Sequence, residues 1–183
     1  DVGGGDSEIL ADRTRTGADD AALWRRFRGA YGDDAKVAVI QKSQLPGPVP
    51  ERFSHHLTRL VPADDRRGEA LMQDIWRIGM ERLTLSPGQP PWSIPLPSKH
   101  FADRLHRFSW LPDLFEQGPE GASRAIRFVD DWIVAHGSFN GFSWRLAPTA
   151  VRCWNWMLCG PELFETGPEE ARLARLDCLV RQI

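Results

Sequence analysis

The residues best suited to chemistry lie between positions 136 and 155. Arg152 and Asn155 stand at i and i+3 in a run that is otherwise apolar (Val151, Trp154, Trp156, Met157, Leu158), so they share one stripe of a helix. A buried arginine is expensive unless it is partnered. Two roles fit Arg152: it meets a carboxylate or sulfate in a cleft, with Asn155 donating to the same group, or it pairs inside the fold with Asp130 or Asp131. Trp144, beside Arg145 in a loop, offers an indole face for a sugar ring next to a fork for an anion. His136 opens the stretch HGSFNGFSW, where it either lines a cleft or complements the negative end of its own helix.

Other chemistries lack their residues. Asp130 and Asp131 are adjacent and project in different directions, unlike a glycosidase pair that faces one bond. His55, His56, His100, His106 and His136 form no metal-ligand spacing, and no cofactor motif of the Walker, Rossmann or nucleophile-elbow type occurs, so neither metal nor cofactor is expected. Cys153, Cys159 and Cys178 are expected as buried free thiols. A net charge of −2 argues against a nucleic-acid partner. No apolar run reaches the roughly 18–20 residues of a membrane span. Of 23 basic residues, 20 are arginine. That excess suits bidentate capture of anions, or reflects a GC-rich genome.

The elements that must position these residues read mainly as helices. Residues 20–31 carry an amphipathic pattern (Leu23, Phe27, Ala30), 37–40 are briefly apolar, and Leu45 to Pro50 (LPGPVP) breaks the chain. A helix is expected with Phe53, Leu57 and Leu60 on one face. Another is capped by Asp64/Asp65 and runs to about Arg77 with Leu71, Ile75 and Ile78. The stretch SPGQPPWSIPLPS, with five prolines, is an extended connector pinned by Trp92 and Ile94. Ser98 then caps a helix over 99–111. Further helices are expected over 119–136, 148–159 and from 168 onward, with Trp76, Trp110, Trp132, Trp154 and Trp156 in the core.

One phrase is written twice. LFEQGPEGA begins at Leu114 and LFETGPEEA at Leu163, identical at seven of nine positions and 49 residues apart. In each, Leu-Phe-Glu ends a helix, Gly caps it, and Pro opens the next, with Glu120 or Glu169 in the favourable first turn. Each copy is the elbow of a helical hairpin, and the pair implies a repeated unit.

The segments PWSIPLPSKHFADRLHRFSWLPDLFEQG, FVDDWIVAH, FSWRLAPTAVRCWNWM and RLARLDCLVRQI resemble the N-terminal part of bacterial heparinase II/III-like polysaccharide lyases, over roughly 79–183. The resemblance implies an all-α fold of repeated hairpins forming an incomplete (α/α) toroid over 79–183, after an irregular, Pro-rich N-terminal segment over 1–78. It further implies later toroid helices and a β-rich domain beyond Ile183, and β-elimination on uronic-acid polysaccharides. There a Tyr or His base removes the C5 proton and a Tyr protonates the leaving O4. Tyr31 is the only tyrosine and lies outside the matching part, so no catalytic residue transfers and the chain alone is expected to be inactive. The expected partner is an acidic polysaccharide, with Trp144, Arg145, Arg152, Asn155 and His136 as binding residues. Two other readings stand beside it: a non-catalytic helical-repeat module binding a glycan or protein, and a toroid glycoside hydrolase. The compartment, periplasmic or cytoplasmic, stays open.

Overall fold

In a computed structural model, which describes residues 50–52, 57–59 and 62–183, the chain is mainly helical. The expectations for 20–31 and 37–40, and most of that for 53–60, lie outside these residues. Seven α-helices and one antiparallel hairpin follow in order: α1 (Asp65–Met72), β1 (Ile75–Ile78), β2 (Glu81–Thr84), α2 (Lys99–Leu105), α3 (Leu111–Phe115), α4 (Gly118–His136), α5 (Leu146–Leu158), α6 (Gly160–Glu165) and α7 (Glu169–Val180).

The hairpin is the first departure from expectation. Leu71, Ile75 and Ile78 fit helical spacing, yet α1 stops at Met72 and Asp74 takes φ 60. Trp76 and Ile78 then alternate onto one face, opposite Leu83 and Glu81. Gly79 at φ 62 occupies the first position of a two-residue turn, where only glycine is comfortable. A division of the chain at residue 78 falls at this turn, between strands that pair across it.

The second departure is that the long helix over 99–111 is two short ones. α2 begins as expected, with Ser98 Oγ accepting from Phe101 N–H at 3.0 Å. It ends at Leu105, Phe108 adopts φ 57, and α3 restarts at Leu111 with Pro112 in its first turn. The break drives Phe108, Trp110 and Leu111 into one core with Trp76, Phe128, Trp132 and Trp156. Phe108 meets Trp132 edge-on at 5.7 Å and Trp156 at 5.5 Å, the geometry aromatic quadrupoles prefer. Trp154 belongs elsewhere: it is 52% exposed. Helix α5 is apolar nearly all round, so its pattern could not say which tryptophan turns inward.

The Pro-rich connector is pinned as expected. Trp92 donates its Nε1–H to Phe128 O at 3.0 Å and stacks on Phe108 at 5.5 Å. Both copies of the repeated phrase are elbows. Gly118 at φ 73 joins α3 to α4, and Gly167 at φ 95 joins α6 to α7, each next to proline. Gly121 lets α4 lie directly on α3, because a Cβ there would sit 2.2 Å from Leu114 O.

Candidate functional site

The five candidate residues come together around His106, at the junction of α2, the C-terminus of α4, the 137–145 loop and α5. What they touch is mainly main-chain carbonyl. A helix leaves its last carbonyls without partners, and burial makes each one costly unless a donor reaches it.

Arg152 is 0% exposed. Its Nη1 donates to His106 O at 3.1 Å and Ser143 O at 2.8 Å, its Nη2 to Thr149 Oγ1 at 3.1 Å, and its Nε to Gln182 Oε1 at 2.5 Å. The guanidinium lies 4.3 Å from the Trp132 ring centroid, a cation–π contact that partly replaces lost hydration. Burial lowers its pKa to about 10. The internal carboxylate partners foreseen for Arg152 do not serve it: Asp130 is bound by Arg175, and no hydrogen bond links Arg152 to Asp131 among the described residues. Fully buried and bonded to four internal acceptors, Arg152 presents no open fork toward solvent.

Asn155 follows the same pattern. Its amide donates to Arg107 O at 3.0 Å and Val151 O at 2.9 Å. Trp144 is buried, not an open sugar platform, and its Nε1–H caps α4 by donating to His136 O at 2.7 Å. Arg145 Nε donates to Phe142 O at 3.1 Å, its Nη2 reaches Asp103 Oδ1 at 2.5 Å, and its guanidinium lies 4.8 Å from the Phe142 centroid. His136 lies edge-on to His106, ring centroids 4.8 Å apart.

Sequence reasoning missed His106 as the centre of this cluster. Its Nδ1 accepts from Trp132 Nε1 at 2.8 Å, so the neutral ring carries its proton on Nε2. Burial first, and then the neighbouring His136, Arg152 and Arg145, hold its pKa well below the ordinary histidine value. Its position directly after the core residue Leu105 carries no signal of this; only the pairing with Trp132, 26 residues away, does.

Several other arginines also hold main-chain carbonyls. Arg124 on α4 caps α1 through Leu71 O at 2.8 Å and Met72 O at 2.7 Å. Arg175 on α7 holds Leu163 O at 2.9 Å and Thr166 O at 2.8 Å at the end of α6. Arg181 reaches Gly137 O at 3.0 Å beyond α4. Five donors in a planar fork serve several carbonyls at once, which lysine's compact ammonium does less well.

A groove between α4 and α7 is lined by Asp130, Ile133, Val134, Glu170 and Ala174. Among the described residues no three His, Cys, Asp or Glu side chains converge as metal ligands. Cys153, Cys159 and Cys178 are free and buried, and burial pushes the Cys159 thiol up to about 12 and that of Cys178 to about 11. No helix of the described residues is long and apolar enough to cross a membrane.

Comparison with known proteins changes the functional reading. Over 97 residues, 53% of its length, the chain is 39% identical to FtsZ-localized protein C of Caulobacter vibrioides. The chain covers 17% of that relative's length. No protein family matches the chain, and no solved structure does. The resemblance to heparinase II/III-like lyases is therefore corrected, and with it the polysaccharide lysis, the glycan-binding and hydrolase alternatives, and the acidic polysaccharide partner. The physical reason is visible in the residues that carried it. Phe108, Trp110, Leu114, Trp132 and Trp156 are core, and Arg152 and Asn155 hold carbonyls. Each of them packs or fastens helices.

Proposed function

We propose that the chain belongs to a protein that acts in bacterial cell division in association with FtsZ, and that residues 62–183 are a rigid helical scaffold within it. The observation that carries this reading is the 39% identity to FtsZ-localized protein C over 97 residues. In this reading His136, Trp144, Arg145, Arg152 and Asn155 fasten the 137–145 loop to α2, α4 and α5 so that the scaffold presents a fixed outer surface. The two Gly-Pro elbows, with α4 packed on α7 through Arg175 and Asp130, support stacking of hairpins in the manner of an incomplete (α/α) toroid over 79–183, preceded by a segment over 1–78.

The test is localisation. A fluorescent fusion of the full-length protein, expressed in Caulobacter vibrioides, is expected to form a midcell band that overlaps FtsZ and disperses when FtsZ is depleted. A uniform signal in cells with intact FtsZ rings would refute the proposal.

A further inference from the structure

The outer edge of β2 combines unused backbone groups with an unrelieved like-charge pair. Leu85 N–H donates to Asp74 O at 3.0 Å, and the register places Ile75 opposite Thr84 and Arg77 opposite Arg82. Antiparallel pairs alternate between bonded and non-bonded types. Trp76–Leu83 and Ile78–Glu81 are thus the bonded pairs, and Arg77–Arg82 is a non-bonded one. Two consequences follow from this register.

The first concerns the backbone. The N–H and C=O groups of Arg82 and Thr84 point away from β1, and β2 pairs with no other strand among the described residues. The second concerns charge. Non-bonded pairs bring side chains closest together, with Cα atoms about 4.5 Å apart, and like charges directly opposite destabilise a hairpin. Arg77 and Arg82 are both exposed, on the same face as Thr84. Neither has an ion pair or side-chain hydrogen bond among the described residues. The adjacent carboxylate, Glu81, lies on the other face and accepts from Ser98 Oγ at 2.8 Å. Most other arginines of this fold are engaged, so this pair stands out.

We propose that the β2 edge is a docking site for an acidic, extended peptide segment of a partner protein. The segment adds as a third strand, exchanging main-chain hydrogen bonds with Arg82 and Thr84. Arg77 and Arg82 lie abreast across the hairpin, so a carboxylate of the added strand opposite Arg82 meets that fork directly, while Arg77, one strand further on the same face, adds to the positive field around it. Met80, 102% exposed at the turn, provides an apolar contact at one end. A helical ligand does not fit, because its own backbone groups are already paired. Same-sign charge on an edge strand also discourages self-pairing, which leaves an acidic strand as the complement that relieves the repulsion. The proposal rests on the hairpin alone and is independent of the division reading.

The experiment titrates the 183-residue chain with a fluorescein-labelled eight-residue peptide alternating Val and Glu, and with its Val/Gln counterpart, followed by anisotropy. The Glu peptide is expected to bind in a salt-sensitive manner, with the Gln peptide about fivefold weaker or worse. The double variant R77E/R82E is expected to lose the Glu peptide, and Thr84→Pro, which removes an outward-facing N–H, to weaken both peptides. Far-ultraviolet circular dichroism checks that each variant keeps its fold, and the Glu/Gln comparison on the unaltered chain needs no variant. Equal binding of the two peptides, no saturable binding, or undiminished binding by folded R77E/R82E would overturn the proposal. So would binding to anionic lipid vesicles without peptide binding, which would assign the arginine pair to a membrane surface.

Discussion

The Arg175 guanidinium grips the Asp130 carboxylate with two hydrogen bonds, Nε to Oδ1 at 2.6 Å and Nη2 to Oδ2 at 2.8 Å. The same side chain holds Leu163 O and Thr166 O, so one residue of α7 joins α4 to the second elbow. The two partners are not equally buried: Arg175 is 2% exposed at its side chain and Asp130 39%. Removing the arginine strands two carbonyls as well as the carboxylate. Arg175→Ala is expected to cost about 3 kcal/mol, whereas Asp130→Asn, screened by solvent, costs about 1 kcal/mol. Urea unfolding midpoints at neutral pH compare them, and a loss at Asp130→Asn as large as that at Arg175→Ala would contradict the expected order.

Arg152→Lys tests whether geometry or charge matters at the other buried fork. Lysine keeps the charge but cannot span His106 O, Ser143 O, Thr149 Oγ1 and Gln182 Oε1 together. A loss of about 2 kcal/mol or more in denaturant unfolding is expected. Wild-type stability in the lysine variant would show that a point charge suffices.

The two glycines of the first elbow should respond differently to alanine. At Gly121 the added Cβ meets Leu114 O at 2.2 Å, a main-chain atom that cannot swing aside. About 2–3 kcal/mol of destabilisation is expected there. At Gly118 the space is open and only φ 73 opposes the change, for about 1 kcal/mol. Thermal unfolding of the two variants decides the order, and the reverse order would contradict the close approach of α3 and α4.

Acidification should destabilise the fold through His106. The folded ring is held neutral, with its pKa well below the ordinary value, chiefly by burial. The unfolded chain therefore binds more protons once the pH falls below about 6.5. The contribution is fully present above that pH and is lost as the pH drops toward the folded pKa, at up to about 1.4 kcal/mol per unit. Urea midpoints measured from pH 7.5 down to 5 should fall, and His106→Asn should flatten the trend. An unchanged slope in that variant would assign it to other groups.

Much of the helical framework is legible in the residues because its causes are local. Gly-Pro pairs end one helix and open the next through their own backbone preferences, so both elbows follow from nine residues each. Ser98 caps α2 for the same reason. The β1–β2 hairpin escapes because four-residue strands are too short for alternation to outweigh helical spacing. The break at Leu105 escapes because it satisfies a tertiary need, seating Phe108 and Trp110 in the core.

The candidate site divides along the same line. That Arg152, Asn155, Trp144, Arg145 and His136 would be gathered near one another is readable from their place on adjoining elements. What each does is not, because its partners are carbonyls of residues up to 48 positions away. Carbonyls are identical in every residue, so no side-chain pattern marks which ones a helix end will leave bare. Packing selects them, and with them the role of each arginine. Local backbone chemistry thus settles where the helices turn, while the burial of unpaired carbonyls, which exists only once helices meet, settles what the polar residues between them are for.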